Sequence, residues 1–212
     1  PVAVSLASFR RYHAESAWTW ERMALTRARF VAGVPALKRE VEAAIRAAQT
    51  RPADPGVVLA DAAAMRGRML RDLPAEGSWD VKLMPGGLVE VEFIAQALQV
   101  AHGHAEPAIL SPTTRIALVA LARVGLLETE EAGALIAADR LWRTVLAHLR
   151  LTVGRWGEDA LPEPVAAALL TTVAPLLPAP AVDQVALRAQ MREVAARVRE
   201  SFTRRVGPPE PI

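Results

Sequence analysis

The sequence predicts an all-α fold, a helical bundle, and three observations carry that reading. Apolar residues recur at alternating spacings of three and four along most of the 212 residues, the period of a helix with a buried face. Between these runs stand Pro and Gly residues placed as helix starts and stops. Only one short stretch, Trp79 to Leu83, alternates apolar and polar residues in the manner of a strand.

Leu6 to Ala32 reads as one long helix or two, with Ser5 as N-cap and Gly33 as stop. Pro35 opens a helix that runs to Gln49. Thr50 to Gly56 is a turn, and a helix from Val57 to Leu73 follows it. Pro74 to Pro85 is the least helical part, extended around Trp79 and ended by Gly86-Gly87. Leu88 to His102 is apolar on most sides, as a helix buried at the centre of a fold is. Ser111-Pro112 caps the next helix, and Gly125 ends it. Thr129 caps another, whose first turn holds Glu130 and Glu131 against the positive end of the helix dipole. Its seam of Leu135, Ala138, Trp142, Val145 and Leu149 is that of a packed bundle. A loop from Gly154 to Pro162, a short helix to Ala174 and a Pro-rich connection lead to a last helix, Val182 to Val206. That helix carries Leu187, Met191, Val194, Val198 and Phe202 on one face.

Composition narrows the function classes. Hydrophobic residues make up 52% of the chain, which argues against disorder, and no apolar run reaches the roughly 20 residues of a membrane span. No secretory signal is visible. With no cysteine, disulfides and thiolate metal sites are excluded, and a reducing cytoplasm is the expected location. A net charge of +2 without a clustered basic stripe argues against a nucleic-acid partner. The first residue is Pro1 rather than Met, which predicts a piece of something longer.

Neither a GxxxxGK[ST] loop nor a GxGxxG turn is present. His102 and His104 are two apart and do not share a helix face, so a helix end explains them better than a metal site. One segment concentrates chemistry: Asp80-Val81-Lys82, then Gly86-Gly87, then a helix start with Glu90 and Glu92. Glycines allow a sharp turn or close approach to a ligand. Free N–H groups at a helix start suit an anion such as phosphate, and Lys82 offers it a point charge. Glu90 and Glu92 would repel bare phosphate but suit one carrying Mg²⁺, or they answer the helix dipole. The structural alternative is a glycine pair before an ordinary helix, with Asp80 paired to Lys82 or to an arginine elsewhere.

Asp80-Val81-Lys82, Gly86-Gly87, Val91-Glu92-Phe93 and Gln96 closely resemble the signature of glutamine synthetase adenylyltransferases. The uridylyltransferases of the PII signal protein carry a related Asp-Leu-Lys…Gly-Gly segment without the Glu-Phe-Ile-x-Gln continuation. A second block, Glu15-Ser16-Ala17-Trp18-Thr19-Trp20-Glu21 with Ala24-Leu25-Thr26-Arg27-Ala28-Arg29, is similar to the family's Trp-Thr-Trp run, Ser16 being a small departure. Met65-Arg66-x-Arg68-Met69 is a third, weaker match. The resemblance is strong over residues 5 to 155 and loose in the tail.

The resemblance implies an enzyme of two nucleotidyltransferase halves. One transfers AMP from ATP to a tyrosine of glutamine synthetase, and the other removes it by phosphorolysis. The Gly-Ser…Asp-x-Asp site that holds Mg²⁺ and ATP in the full-length enzyme has no counterpart here. Pro1 to Ser5 resembles the end of the domain that carries it, and the Trp-Thr-Trp form points to the C-terminal, adenylylating half. The chain is then expected to be inactive alone, with no cofactor of its own. Residues 1–75 are the helices linking to the missing catalytic domain, and 76–212 the C-terminal bundle. Implied partners are glutamine synthetase, the PII signal protein and the chain's own upstream catalytic domain. Asp80, Lys82, Gly86, Gly87, Glu90, Glu92, Arg27 and Arg29 are the candidates for the nucleotide or the domain interface. Lys82 either reaches the nucleotide phosphates or holds the two domains together. Arg27 and Arg29 diverge on a helix, and one of them lines the cleft. At least one of Trp18 and Trp20 packs on the missing domain. Arg188, Arg192 and Arg199 suggest docking toward glutamine synthetase, although a solvated face is the commoner explanation. The other class of reading is a stand-alone helical protein–protein interaction module.

Overall fold

The computed structural model describes residues 3–154 and 160–209. Among these residues it contains nine α-helices and no strand. Two short helices come first, α1 (Leu6–Glu15) and α2 (Thr19–Leu25). The chain breaks between them because Glu21 reaches back to accept the Trp18 N–H at 2.9 Å, starting a new helix there. Helix α2 also ends earlier than its sequence pattern suggests. The Thr26 hydroxyl donates to the Met23 carbonyl at 2.7 Å, a local bond that competes with helix continuation. Arg27 and Arg29 therefore lie in irregular chain rather than on a helix.

Helices α3 (Pro35–Gln49) and α4 (Pro55–Asp72) follow. Each starts with Pro at its first position, and Asp54 caps α4 through the N–H groups of Gly56 and Val57. Helix α5 (Leu88–His102) is the centre of the molecule. It touches α2, α4, α6, α7 and α9, and of its fifteen residues only Glu92, Phe93 and His102 escape full burial.

Helices α6 (Thr114–Arg123) and α7 (Thr129–Thr152) form a hairpin closed by Gly125, whose φ is +77°. Two caps are displaced by a residue or two from their sequence positions. Thr113 stands at the cap of α6, with Ser111 instead accepting the Thr113 N–H, and Glu128 at the cap of α7. The seam of α7 from Leu135 to Leu149 is buried as its spacing predicts. Helices α8 (Glu163–Val173) and α9 (Gln184–Arg205) complete the bundle. Asp183 caps α9, which packs across α5 and α7. One apolar core runs from Met23 to Val206. Most of the sequence-predicted loop from Gly154 to Pro162 lies outside the described residues. No helix among those described is long and apolar enough to cross a membrane.

Candidate functional site: the turn before the central helix

Residues 77–87 are not extended chain but a series of turns. The cause is Asp80, which is buried between the equally buried Trp79 and Val81. Its carboxylate accepts the N–H groups of Lys82 and Leu83 at 3.2 and 3.1 Å, and that of Glu76 at 3.3 Å. These bonds curl the backbone, as an aspartate does at a turn, and among the described residues pair Asp80 with backbone rather than in a salt bridge. The alternation of apolar residues misled because all three successive side chains point inward.

The helix start is closed to an anion. Leu88 N–H donates to the Val81 carbonyl at 2.8 Å and Val89 N–H to that of Lys82 at 3.2 Å. The Gly86 N–H is taken by Glu90 Oε2 at 2.9 Å. The turn that precedes α5 thus consumes the donors that a phosphate would need.

The glycine pair has a packing reason. Gly86 has a φ of +75°, and a Cβ there would stand 1.9 Å from the Ala195 carbonyl oxygen of α9. A Cβ at Gly87 would stand 2.6 Å from the Val81 oxygen. The close approach is between backbones of this chain, not toward a ligand.

Beneath the turn sits a charge hub. Glu90 and Arg66 are both 0% exposed. Glu90 Oε1 accepts from Arg66 Nε at 2.9 Å and from Arg199 Nη1 at 2.7 Å. Arg66 Nη2 donates to the carbonyls of Leu83 and Met84 at 2.8 and 3.1 Å. Burial pushes the Arg66 pKa down, and Glu90 opposes that shift. Two guanidiniums share this one carboxylate, and the nearby Asp80 charge also favours the charged form of Arg66. Arg66 was visible in the sequence only within a weak motif. Helical spacing from Val58 and Ala62, both buried, is the signal that places it on the inner face of α4.

Glu92 and Arg27 belong to a second network. Glu92 Oε1 accepts from Arg27 Nη1 at 3.0 Å and Arg143 Nη2 at 2.7 Å, tying the chain after α2 to α5 and α7. Arg29 is exposed and has no ion pair or hydrogen bond among the described residues. Lys82 differs from its neighbours in the turn. Its side chain is exposed and unpaired among the described residues, at a cleft of about 470 Å³ that Asp72, Glu76 and Arg150 also line. The structure thus joins Asp80, Gly86, Gly87 and Glu90 in one scaffold, Glu92 and Arg27 in another, and leaves Lys82 and Arg29 outward.

The described residues do not make a Mg²⁺ site. Glu90 and Glu92 are each held by two guanidiniums, and no group of three His, Asp or Glu side chains converges. His104 Nδ1 lies 2.9 Å from the Thr50 carbonyl, at the end of α5. On α9, Arg199 faces Glu90 and Arg188 stacks over the buried Trp79 ring at 5.7 Å, so both serve the interior, while Arg192 remains exposed. Trp18 and Trp20 are both exposed, at 71% and 52%.

Comparison with known proteins agrees with this motif reading. A family model described as GlnD PII-uridylyltransferase matches residues 62–205, and one described as Glutamate-ammonia ligase adenylyltransferase matches residues 1–44. Relatives named "Bifunctional glutamine synthetase adenylyltransferase/adenylyl-removing enzyme" are 38% identical in Rhodopseudomonas palustris (strain TIE-1) and 39% in Bradyrhizobium diazoefficiens, over 98% and 95% of this chain. The relative from Xanthobacter autotrophicus is 39% identical over 96%. In each case the chain spans 20% of the relative's length. These matches place the chain within a nucleotidyltransferase family. It belongs to the glutamine synthetase adenylyltransferases, and its residues 62–205 also match the PII-uridylyltransferase model. The likeness extends through the tail to Arg205, which the sequence motifs left loose, and the uridylyltransferase match runs past Gln96.

Proposed function

We propose that this chain is the helical part of the C-terminal, adenylylating half of a cytoplasmic enzyme that transfers AMP from ATP to a tyrosine of glutamine synthetase. The other half of that enzyme removes the AMP. The turn before α5 faces the catalytic domain, and Lys82 reaches the nucleotide phosphates there. The observation that carries this reading is the contrast within the turn. Asp80, Gly86, Gly87 and Glu90 are consumed in holding it, whereas Lys82 alone of these residues stands exposed and, among the described residues, unpaired. A cation presented on so fixed a support suits a ligand that arrives from outside. Mg²⁺ belongs on the catalytic domain in this reading, because the acids here are engaged by arginines. The chain alone has no activity, since it lacks Asp-x-Asp. The exposed Trp18 and Trp20 pack on the catalytic domain, and the PII signal protein acts on the full-length enzyme.

The test is Lys82→Ala in the full-length enzyme, with AMP transfer followed against ATP concentration. A raised KM for ATP, about tenfold or more as expected for the loss of a charged contact, supports the assignment. An unchanged KM for ATP removes Lys82 from the nucleotide. Lys82→Arg keeps the charge and is expected to recover part of the loss.

A further inference from the structure

The arginines on the α6–α7–α8 face have no part in the reading above. Asp139 lies on α7 and is 1% exposed. Its Oδ1 accepts from Arg143 Nε at 2.8 Å, and its Oδ2 lies 3.4 Å from Arg115 Nε on α6. One buried carboxylate therefore hydrogen-bonds Arg143 through its Nε and stands in a looser ion pair with Arg115, its Oδ2 having no hydrogen-bond partner among the described residues. Arg143 is fixed again through Nη2 by Glu92, and the pairs with Asp139 and Glu92 outweigh the penalty of burial to raise its pKa. Its Nη1 has no hydrogen bond among the described residues, and neither does either Nη of Arg115. Arg140, next to Asp139 in the chain, is exposed and has neither hydrogen bond nor ion pair among the described residues.

These three arginines, with Thr144, His148 and Thr172, line an open cleft of about 530 Å³ that has no carboxylate among its lining residues. The Nε2 of His148 is buried there without a hydrogen-bond partner. Among the described residues the ion-pair network sets Arg27, Arg115 and Arg143 against Glu92 and Asp139, a surplus of one positive charge, and Arg140 beside it adds a second. Both acids engage arginines, while Arg143 Nη1, both Nη of Arg115 and the Arg140 guanidinium have no partner among the described residues.

We propose that this cleft binds a phosphoryl oxyanion, either free phosphate or the phosphate of a small monoester. Guanidinium forks match phosphate oxygens in pairs, and a tetrahedral dianion can accept from Arg115 on α6 and from Arg140 and Arg143 on α7 at once. The volume is that of a small-molecule site rather than a track for a peptide. Asp139 is a positioning residue in this arrangement. The site stands apart from the Lys82 turn, and its existence does not depend on the adenylyl-transfer reading.

The test is calorimetric titration of the whole chain with sodium orthophosphate, and separately with phenyl phosphate, at constant ionic strength. Arg140→Ala and Arg115→Gln are titrated alongside. Arg140 holds nothing else together, so its variant keeps the fold. Saturable binding that each variant weakens about tenfold, the scale of one charge-assisted contact, supports the site. Tighter binding of phenyl phosphate marks a monoester as the ligand, and equal or weaker binding marks free phosphate. Absence of saturation, or the same affinity in both variants, overturns the proposal. So does binding of a polyglutamate peptide with no response to phosphate, which makes the face a protein-docking surface.

Discussion

Two regions of this molecule use charge in opposite ways. Around α5, Glu90, Arg66 and Arg199 are joined in the interior, and backbone carbonyls of the turn close the network. In the layer of α1 and α3, no residue of α1 is buried and only Ala44 of α3 is. Charged side chains there act at the edges. Arg51 caps the end of α1 through the carbonyls of His13 and Ala14 at 2.8 and 2.9 Å, and Arg22 in turn donates to the Arg51 carbonyl. The first region holds its shape by burial and is costly to disturb. The second rests on peripheral hydrogen bonds beside the exposed Trp18 and Trp20.

The largest expected effect is Gly86→Ala. The new Cβ meets the backbone of Ala195 rather than a movable side chain, and the φ of +75° disfavours it independently. A loss on the order of 4 kcal/mol, in the rare severe class, should appear in urea unfolding, with α9 displaced from the turn. A variant of near wild-type stability would show that α9 is held less closely than its contact with Gly86 indicates. Next in size is Glu90→Gln. It leaves the buried Arg66 without its hydrogen-bonded counter-charge, and breaking a buried ion pair costs about 3–5 kcal/mol, here toward the lower end because Arg199 is partly exposed and Asp80 stays close to Arg66. Replacing Arg66 with Met in the same chain should recover part of that loss, because it removes the stranded charge. No recovery in the double variant would mean that Arg66 matters through its bonds to Leu83 and Met84 instead.

How far the sequence foretold this division can be judged from particular residues. The central helix was legible to the residue, because an all-round apolar helix has one place to go. The seam of α7 was legible for the same periodic reason. The turn before α5 was not. Its alternation of Trp79, Val81 and Leu83 mimics a strand, and only the burial of Asp80 and its backbone bonds reveal the curl. The motif drew notice to Lys82, Gly86 and Glu90 together, yet spacing alone cannot separate a supporting acid from a presented base. That separation needs Arg66 and Arg199, which come from helices 24 and 109 residues away in the chain. Long-range pairing of this kind leaves no local trace in a single sequence. The caps of α6 and α7 were missed by a residue or two, and the end of α2 fell at Leu25 rather than Ala32, where side chains choose between neighbouring backbone groups.

The smallest effect separates the two regions by pH. Burial lowers the pKa of His13 in α1, with Glu21 opposing and Arg51 adding to the shift. Its Nδ1 is buried without a hydrogen-bond partner. The folded state then holds fewer protons than the unfolded one just below the ordinary histidine value of 6.5. Its contribution to stability is complete above that value and declines as pH falls through the window down to the folded pKa. His102, at the end of α5, is shifted in the same direction by burial alone. The sign is therefore common to both regions, but the consequence is not. Protonating His13 loosens a layer that has little else to hold it, whereas His102 sits on the most heavily packed helix. Hydrogen exchange between pH 7 and 5 should show α1 amides losing protection, after correction for intrinsic exchange, while those of α5 keep theirs. His13→Gln should flatten the α1 response. Equal loss in α1 and α5 would show that the two regions open as one unit, and that the peripheral bonds of Arg51 bind the outer layer as firmly as burial binds the core.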